Sequence, residues 1–240
     1  MTKTRSLTTR RSVEGKRVVE SLRAKGNSSI AAHSHGFFRA GPGGYGDGDQ
    51  FLGLRVPVIR EEVKRTKLSI PLAVELLQSP YHEVRMFAVV AMVELYPKQK
   101  DEVYEAYVAN RHRVNNWDLV DVSAPHILGA HLMTRPRDVL DEFAAAESPW
   151  DRRMAVVATF AFIRENQFDD TLRLATTLLD DPHDLIHKAV GWMLREVGKR
   201  DADAHRDFLD KRATVMPRTM LRYAIEKLPK AARQAYLRGK

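Results

Sequence analysis

Trp117 and Asp121 stand four residues apart in the stretch Asn115-Asn116-Trp117-Asp118-Leu119-Val120-Asp121-Val122-Ser123-Ala124-Pro125-His126. On a helix that spacing stacks an aromatic ring and a carboxylate on one face. Leu119, Val120, Val122 and Ile127 then point toward a core. A carboxylate beside a wide aromatic face can stabilise positive charge that develops in a reaction, or orient a water. The plainer reading of the same residues is an aromatic at a helix start and a solvated acid. Spacing alone does not separate the two.

The elements that would position these residues repeat along the chain. Ser79-Pro80, Ser148-Pro149 and Asp181-Pro182 each set a capping residue before a proline suited to a first helical position. Asn115-Asn116 and Met216-Pro217 fall in the same series. Taking positions 80, 116, 149, 182 and 217, the steps are 36, 33, 33 and 35 residues. Such a period describes repeated helix pairs. Five residues after each start come Arg85, Asp121, Met154 with Arg153 beside it, His187 and Arg222. Small apolar blocks follow, as in Phe87-Ala88-Val89-Val90-Ala91 and Ala155-Val156-Val157-Ala158. The tetratricopeptide signature is missing, so the pattern reads as HEAT-like. The expected fold is all-α: a curved α-solenoid with a basic concave groove, each pair stacking on its neighbours to bury an apolar face.

Against that regularity Asp121 is a departure. It places an acid where the series otherwise favours cations. A groove that holds a polyanion loses affinity by carrying an acid there, unless the acid has a chemical use. The alternative is an internal ion pair with Arg152 or Arg153. Trp117 and Trp150 sit near helix starts, and Trp192 sits mid-helix behind Gly191. A mid-helix glycine costs about 1 kcal/mol of helix propensity, which points to a close approach there by a neighbouring helix or a ligand. His183 and His187 have the spacing of a metal pair, but no third ligand accompanies them. No metal or cofactor is expected.

Before the repeats, residues 1–11 read as a disordered basic tail and 12–240 as one domain. A helix is expected over 12–25, with Val18, Val19 and Leu22 inward. A long loop is expected over 26–50, glycine-rich at 41–49. That loop has no Gly-Lys-Ser/Thr and follows no strand, so it is no phosphate loop. It reads as a mobile cover over a site or as a plain linker. A helix resumes near Pro57.

The 240 residues contain no cysteine, which excludes disulfides, thiol catalysis and thiolate metal sites. No apolar run is long enough for a membrane span, and the first residues lack the apolar region of a secretory signal. A cytoplasmic, DNA-associated monomer is expected. The net charge is +8. Residues 1–26 carry +6 and residues 211–240 carry +8, leaving −6 between them. Basic ends around an acidic body suit a polyanionic partner.

Asn-Trp-Asp-Leu-Val-Asp at 116–121, Trp-Asp-Arg-Arg-Met-Ala at 150–155 and Lys-Ala-Val-Gly-Trp-Met-Leu-Arg-Glu at 188–196 resemble the DNA alkylation repair family. Its AlkD-like members are HEAT-repeat DNA glycosylases. The resemblance runs from about Phe51 to the C-terminus, and Phe-Leu-Gly-Leu-Arg-Val-Pro at 51–57 resembles the family's first repeat. It implies excision of cationic N3- or N7-alkylated purines from duplex DNA by hydrolysis of the N-glycosidic bond. It implies Asp121 as the catalytic carboxylate, Trp117 and Trp192 as the cleft tryptophans and Arg153 as a DNA-contacting arginine. It further implies reaction without turning the damaged base into a pocket, unlike most glycosylases. Arg152, Lys188, Arg195 and Arg85 are the further cations expected at the DNA. Asn116 departs from members that carry a second aromatic there. A non-catalytic DNA-structure-binding solenoid and a protein-interaction solenoid are the competing readings.

Overall fold

Short polar caps mark where several helices of this chain begin. The computed structural model describes residues 12–239. The fold is all-helical and repeat-like. Contacts divide the chain into two compact units that meet in sequence at Leu95 and Tyr96. The expected tail, residues 1–11, lies outside the described residues.

The first unit holds α1 (Val13–Ala24), α2 (Ser28–Phe37), α3 (Val56–Arg65), α4 (Ile70–Leu77) and α5 (His82–Leu95). Ser12 caps α1 by accepting from the Gly15 N–H, and Val18, Val19 and Leu22 are buried as expected. The expected loop over 26–50 is corrected at its start, where Asn27 caps a ten-residue helix, α2. That helix buries none of its residues. It therefore has no apolar stripe for a sequence to display.

The glycine-rich segment is anchored at its end. It carries Gly43 and Gly48 at φ of 74° and 84°, a region open to glycine. It ends on Asp49, whose buried carboxylate accepts from Arg85 NH2 at 2.6 Å and lies 3.3 Å from His82 Nδ1. Arg85 NH1 donates to the carbonyls of Ser79 and Pro80. A parallel backbone bridge joins Gln50 to Tyr81 beside it. The segment is tied to the start of α5.

The second unit holds α6 (Lys100–Ala109), α7 (Trp117–Ser123), α8 (Val139–Ala144), α9 (Pro149–Ala158), α10 (Phe160–Arg164), α11 (Asp169–Thr177), α12 (Asp184–Gly198), α13 (Ala202–Arg212), α14 (Arg218–Ala224) and α15 (Lys230–Arg238). The five starts read from sequence fall within two residues of His82, Trp117, Pro149, Asp184 and Arg218. Ser148 caps α9 as expected, whereas α7 is capped by Asn116, read as its start, and α12 by His183 rather than Asp181. Helices α7, α9, α12 and α14 pack in succession, with α8, α11 and α13 as their companions.

Ion pairs tie each repeat to the next. Arg137 and Asp170, Asp141 and Arg173, Arg152 and Asp181, and Arg195 and Glu226 lie 33, 32, 29 and 31 residues apart, about one repeat. Gly191 is explained by packing: a Cβ there would meet the Met220 carbonyl at 2.4 Å and Tyr223 Cβ at 2.5 Å. The close approach is α14, a neighbouring helix.

Candidate functional site

Asp121 is carried by α7, whose buried side is Leu119, Val120 and Ser123. Val122, expected inward, is half-buried. Trp117 and Asp121 share the half-exposed side one turn apart. Just beyond, Pro125 opens a π-helical turn, Pro125–Gly129, in which Gly129 N–H reaches back five residues to the Ala124 carbonyl. Proline has no N–H to give the Asp121 carbonyl four residues earlier. The wider turn is how the chain continues past that missing bond. Beneath it, Tyr107 and Ser123 hydroxyls meet at 2.8 Å in the core.

Across from Asp121, Arg153 projects from α9. Its Nε and NH2 donate to Asp121 Oδ1 and Oδ2, each at 2.9 Å. Its NH1 donates to the Leu185 carbonyl at the start of α12 at 2.5 Å. The guanidinium is 6% exposed and the carboxylate 21%. Burial pushes the Asp121 carboxyl above its ordinary value of 3.8, against the opposing pull of Arg153, with Asp118 adding to the rise. A carboxylate has about four acceptor positions. The guanidinium fork takes two.

Trp192 enters from α12. Leu185, Lys188, Trp192, Arg195 and Glu196 form the half-buried stripe of that helix, with Lys199 just past its end, while Ile186, Ala189, Val190, Met193, Leu194 and Val197 are buried. Leu185 and Trp192 are two turns apart on that stripe, about 10 Å along the axis. The Trp192 ring lies 5.9 Å from Phe160 at 45°. Its Nε1 donates to Glu196 Oε1 at 3.1 Å. Arg153 on α9 thus joins Asp121 on α7 to the start of α12, while Trp192 lies two turns further along α12 beside Phe160 and Glu196. Trp150, by contrast, is buried near the His183 ring.

The expected phosphate-binding cations separate by burial. Arg85 belongs to the first unit, is 1% exposed and is held by Asp49. Its guanidinium is a core group and not a phosphate ligand in this arrangement. Arg152 NH1 donates to the carbonyls of Ala146 and Glu147, and its Nε and NH2 donate to Asp181. Arg195 pairs with Glu196 and Glu226. Lys188 pairs with Asp184 at 2.7 Å but is 37% exposed, more than any other member of the expected set. His183 and His187 both serve the start of α12. His183 Nδ1 accepts from Leu185 N–H, and His187 Nε2 faces the Asp181 carbonyl.

Sequence reasoning missed Glu196 and the Leu185 carbonyl. Glu196 had a signal, its i, i+4 spacing from Trp192. A backbone acceptor leaves none.

A family model for the DNA alkylation repair enzyme matches residues 18–228. The chain belongs to the DNA alkylation repair family. Among solved structures, a predicted DNA alkylation repair enzyme from Enterococcus faecalis is similar at a TM-score of 0.70 and 19% identity, over 85% of this chain and 97% of that one. The smu.31 protein of Streptococcus mutans UA159 is similar at a TM-score of 0.51 and 18% identity, over 88% of this chain and 96% of that one. At those identities the likeness is one of fold. No curated protein matches the sequence. Membership in the DNA alkylation repair family supports a role in alkylation repair with DNA as partner. Among the described residues, no helix is long and apolar enough to cross a membrane.

Proposed function

We propose that this member of the DNA alkylation repair family is a glycosylase. It would excise cationic N3- or N7-alkylated purines from duplex DNA by hydrolysing the N-glycosidic bond. The observation that carries the reading is the Asp121 carboxylate, gripped by the Arg153 fork and carried one turn from Trp117 on the half-exposed side of α7.

In the proposed reaction the bond from C1′ to the base nitrogen breaks, and its electron pair neutralises the positive charge on the base. The departing purine is then neutral, so no general acid is required. Positive charge develops on the sugar, and a half-buried carboxylate stabilises it more strongly than a solvated one would. Water, oriented by Asp121, adds at C1′ and gives up its proton to solvent. The faces of Trp117 and Trp192 hold the sugar and favour its cationic character. The base stays in the duplex, since the sugar and not the base is what these side chains engage. Lys188 and the basic stretch 211–240 of the same unit hold the phosphate backbone.

The Asp121–Arg153 pair also favours a second reading, a non-catalytic HEAT-repeat DNA-structure-binding protein in which the carboxylate only braces the wall. Release of 7-methylguanine from methylated duplex DNA, without added metal, separates the two. Release by wild type and a loss of about 10²–10³-fold in Asp121→Asn is expected for a group stabilising transition-state charge. Duplex binding with no release by wild type on 7-methylguanine, 3-methyladenine or bulkier adducts would leave the binding reading.

A further inference from the structure

We propose that Glu196 is a positioning residue for Trp192, fixing the indole ring and raising its electron density for a cationic substrate. The inference rests on the glycosylase reading.

Glu196 is four residues after Trp192, so the two side chains meet on the half-buried stripe of α12. Its Oε1 accepts from Trp192 Nε1 at 3.1 Å. An indole N–H is a donor with one direction, so this bond sets the rotation of the ring within its plane. Phe160, 5.9 Å away and tilted by 45°, restrains the ring from α10. The edge and one neighbour are thus defined, and the half-buried ring keeps an accessible part.

The acceptor is itself held. Lys199 Nζ reaches Glu196 Oε1 and Oε2 at 2.7 and 2.8 Å, and Arg195 NH2 lies 3.4 Å from Oε1. The Glu196 side chain is only 12% exposed. A carboxylate that served only as a surface ion-pair partner would have no need to lie against the indole edge. Donation of the indole N–H to an anion pushes electron density into the ring and deepens the negative potential on its face. That is the property a developing oxocarbenium ion or an alkylated purine would use.

The test combines a spectroscopic and a kinetic readout. In 15N-labelled protein, the Trp192 indole N–H resonance is identified by its loss in Trp192→Phe. Glu196→Ala should move that resonance upfield, and Glu196→Gln, which keeps an acceptor, should move it less. Single-turnover excision of 7-methylguanine should fall about tenfold in Glu196→Ala, in the range of a partly desolvated cation–π contact, with duplex affinity unchanged. Glu196→Gln should recover most of that loss. In the Trp192→Phe background, Glu196→Ala should change the rate less than twofold, because there is no N–H left to orient.

An unmoved indole resonance, or an equal loss of rate with and without the Trp192 N–H, would overturn the proposal while excision itself persists. A wild-type protein that releases no base overturns the glycosylase reading, and Glu196's part in it falls with that reading.

Discussion

Arg153 and Asp121 form a two-pronged ion pair across 32 residues of sequence, and the same guanidinium reaches the Leu185 carbonyl 32 residues further on. Removing one partner of a buried pair leaves the other without compensation, typically at about 3–5 kcal/mol. Asp121 keeps partial access to water, so Arg153→Ala should cost less, about 2–3 kcal/mol. Arg153→Lys should recover little of this, because an ammonium cannot serve two carboxylate oxygens and a carbonyl with one rigid fork. Urea unfolding of both variants checks the expectation. Stability equal to wild type in Arg153→Ala would mean the pair contributes nothing.

Gly191 gives a test of packing. Alanine gains about 1 kcal/mol of helix propensity over glycine. Here its Cβ would press on the Met220 carbonyl and on Tyr223 Cβ. Backbone cannot rotate aside, so Gly191→Ala should be net destabilising by about 1–3 kcal/mol, read as a lower urea midpoint. A stabilised variant would show that α12 and α14 separate easily.

Arg85 should matter to folding and not to DNA. Asp49→Ala strands a guanidinium that is 1% exposed, and a loss of about 3–5 kcal/mol follows from a buried charge without its partner. Arg85→Met removes the charge and keeps much of the volume, so paired with Asp49→Ala it should restore part of the loss. Duplex affinity of that double variant should match wild type. A weaker complex would return Arg85 to the DNA-contacting set.

His205 supplies a pH dependence. It is 2% exposed, its Nε2 is buried without a hydrogen-bond partner, and burial holds its pKa below the ordinary 6.5 against a backbone contact with Ala224. The unfolded chain therefore binds the proton more readily than the folded one. This contribution is fully present above about pH 6.5 and is lost as pH falls from there through the lower folded value. Thermal midpoints measured from pH 7.5 to 5 should fall, and His205→Leu should flatten the decline.

The helix starts were legible because capping is local. Asn116 and Ser148 act on N–H groups within three residues, and any chain with that order of residues offers the same bonds. The Trp117–Asp121 pair was legible for the same reason. Arg85 was not. An arginine one turn into a helix reads alike whether it faces solvent or an acid 36 residues away. The helix at Ser28–Phe37 escaped because it buries nothing, and periodicity marks only helices that have an inside. Gly191 announced a close approach without naming the neighbour, since the sequence carries the absence of a side chain but not the identity of what fills the space.

The reach of Arg153 in both directions has a consequence for how the second unit opens. In a stack of repeats each member contacts only its neighbours, and fraying can stop at any boundary. A side chain that holds α7 and α12 from α9 removes two boundaries at once. Those three helices should then exchange their amide hydrogens as a single foldon, protected together and released together.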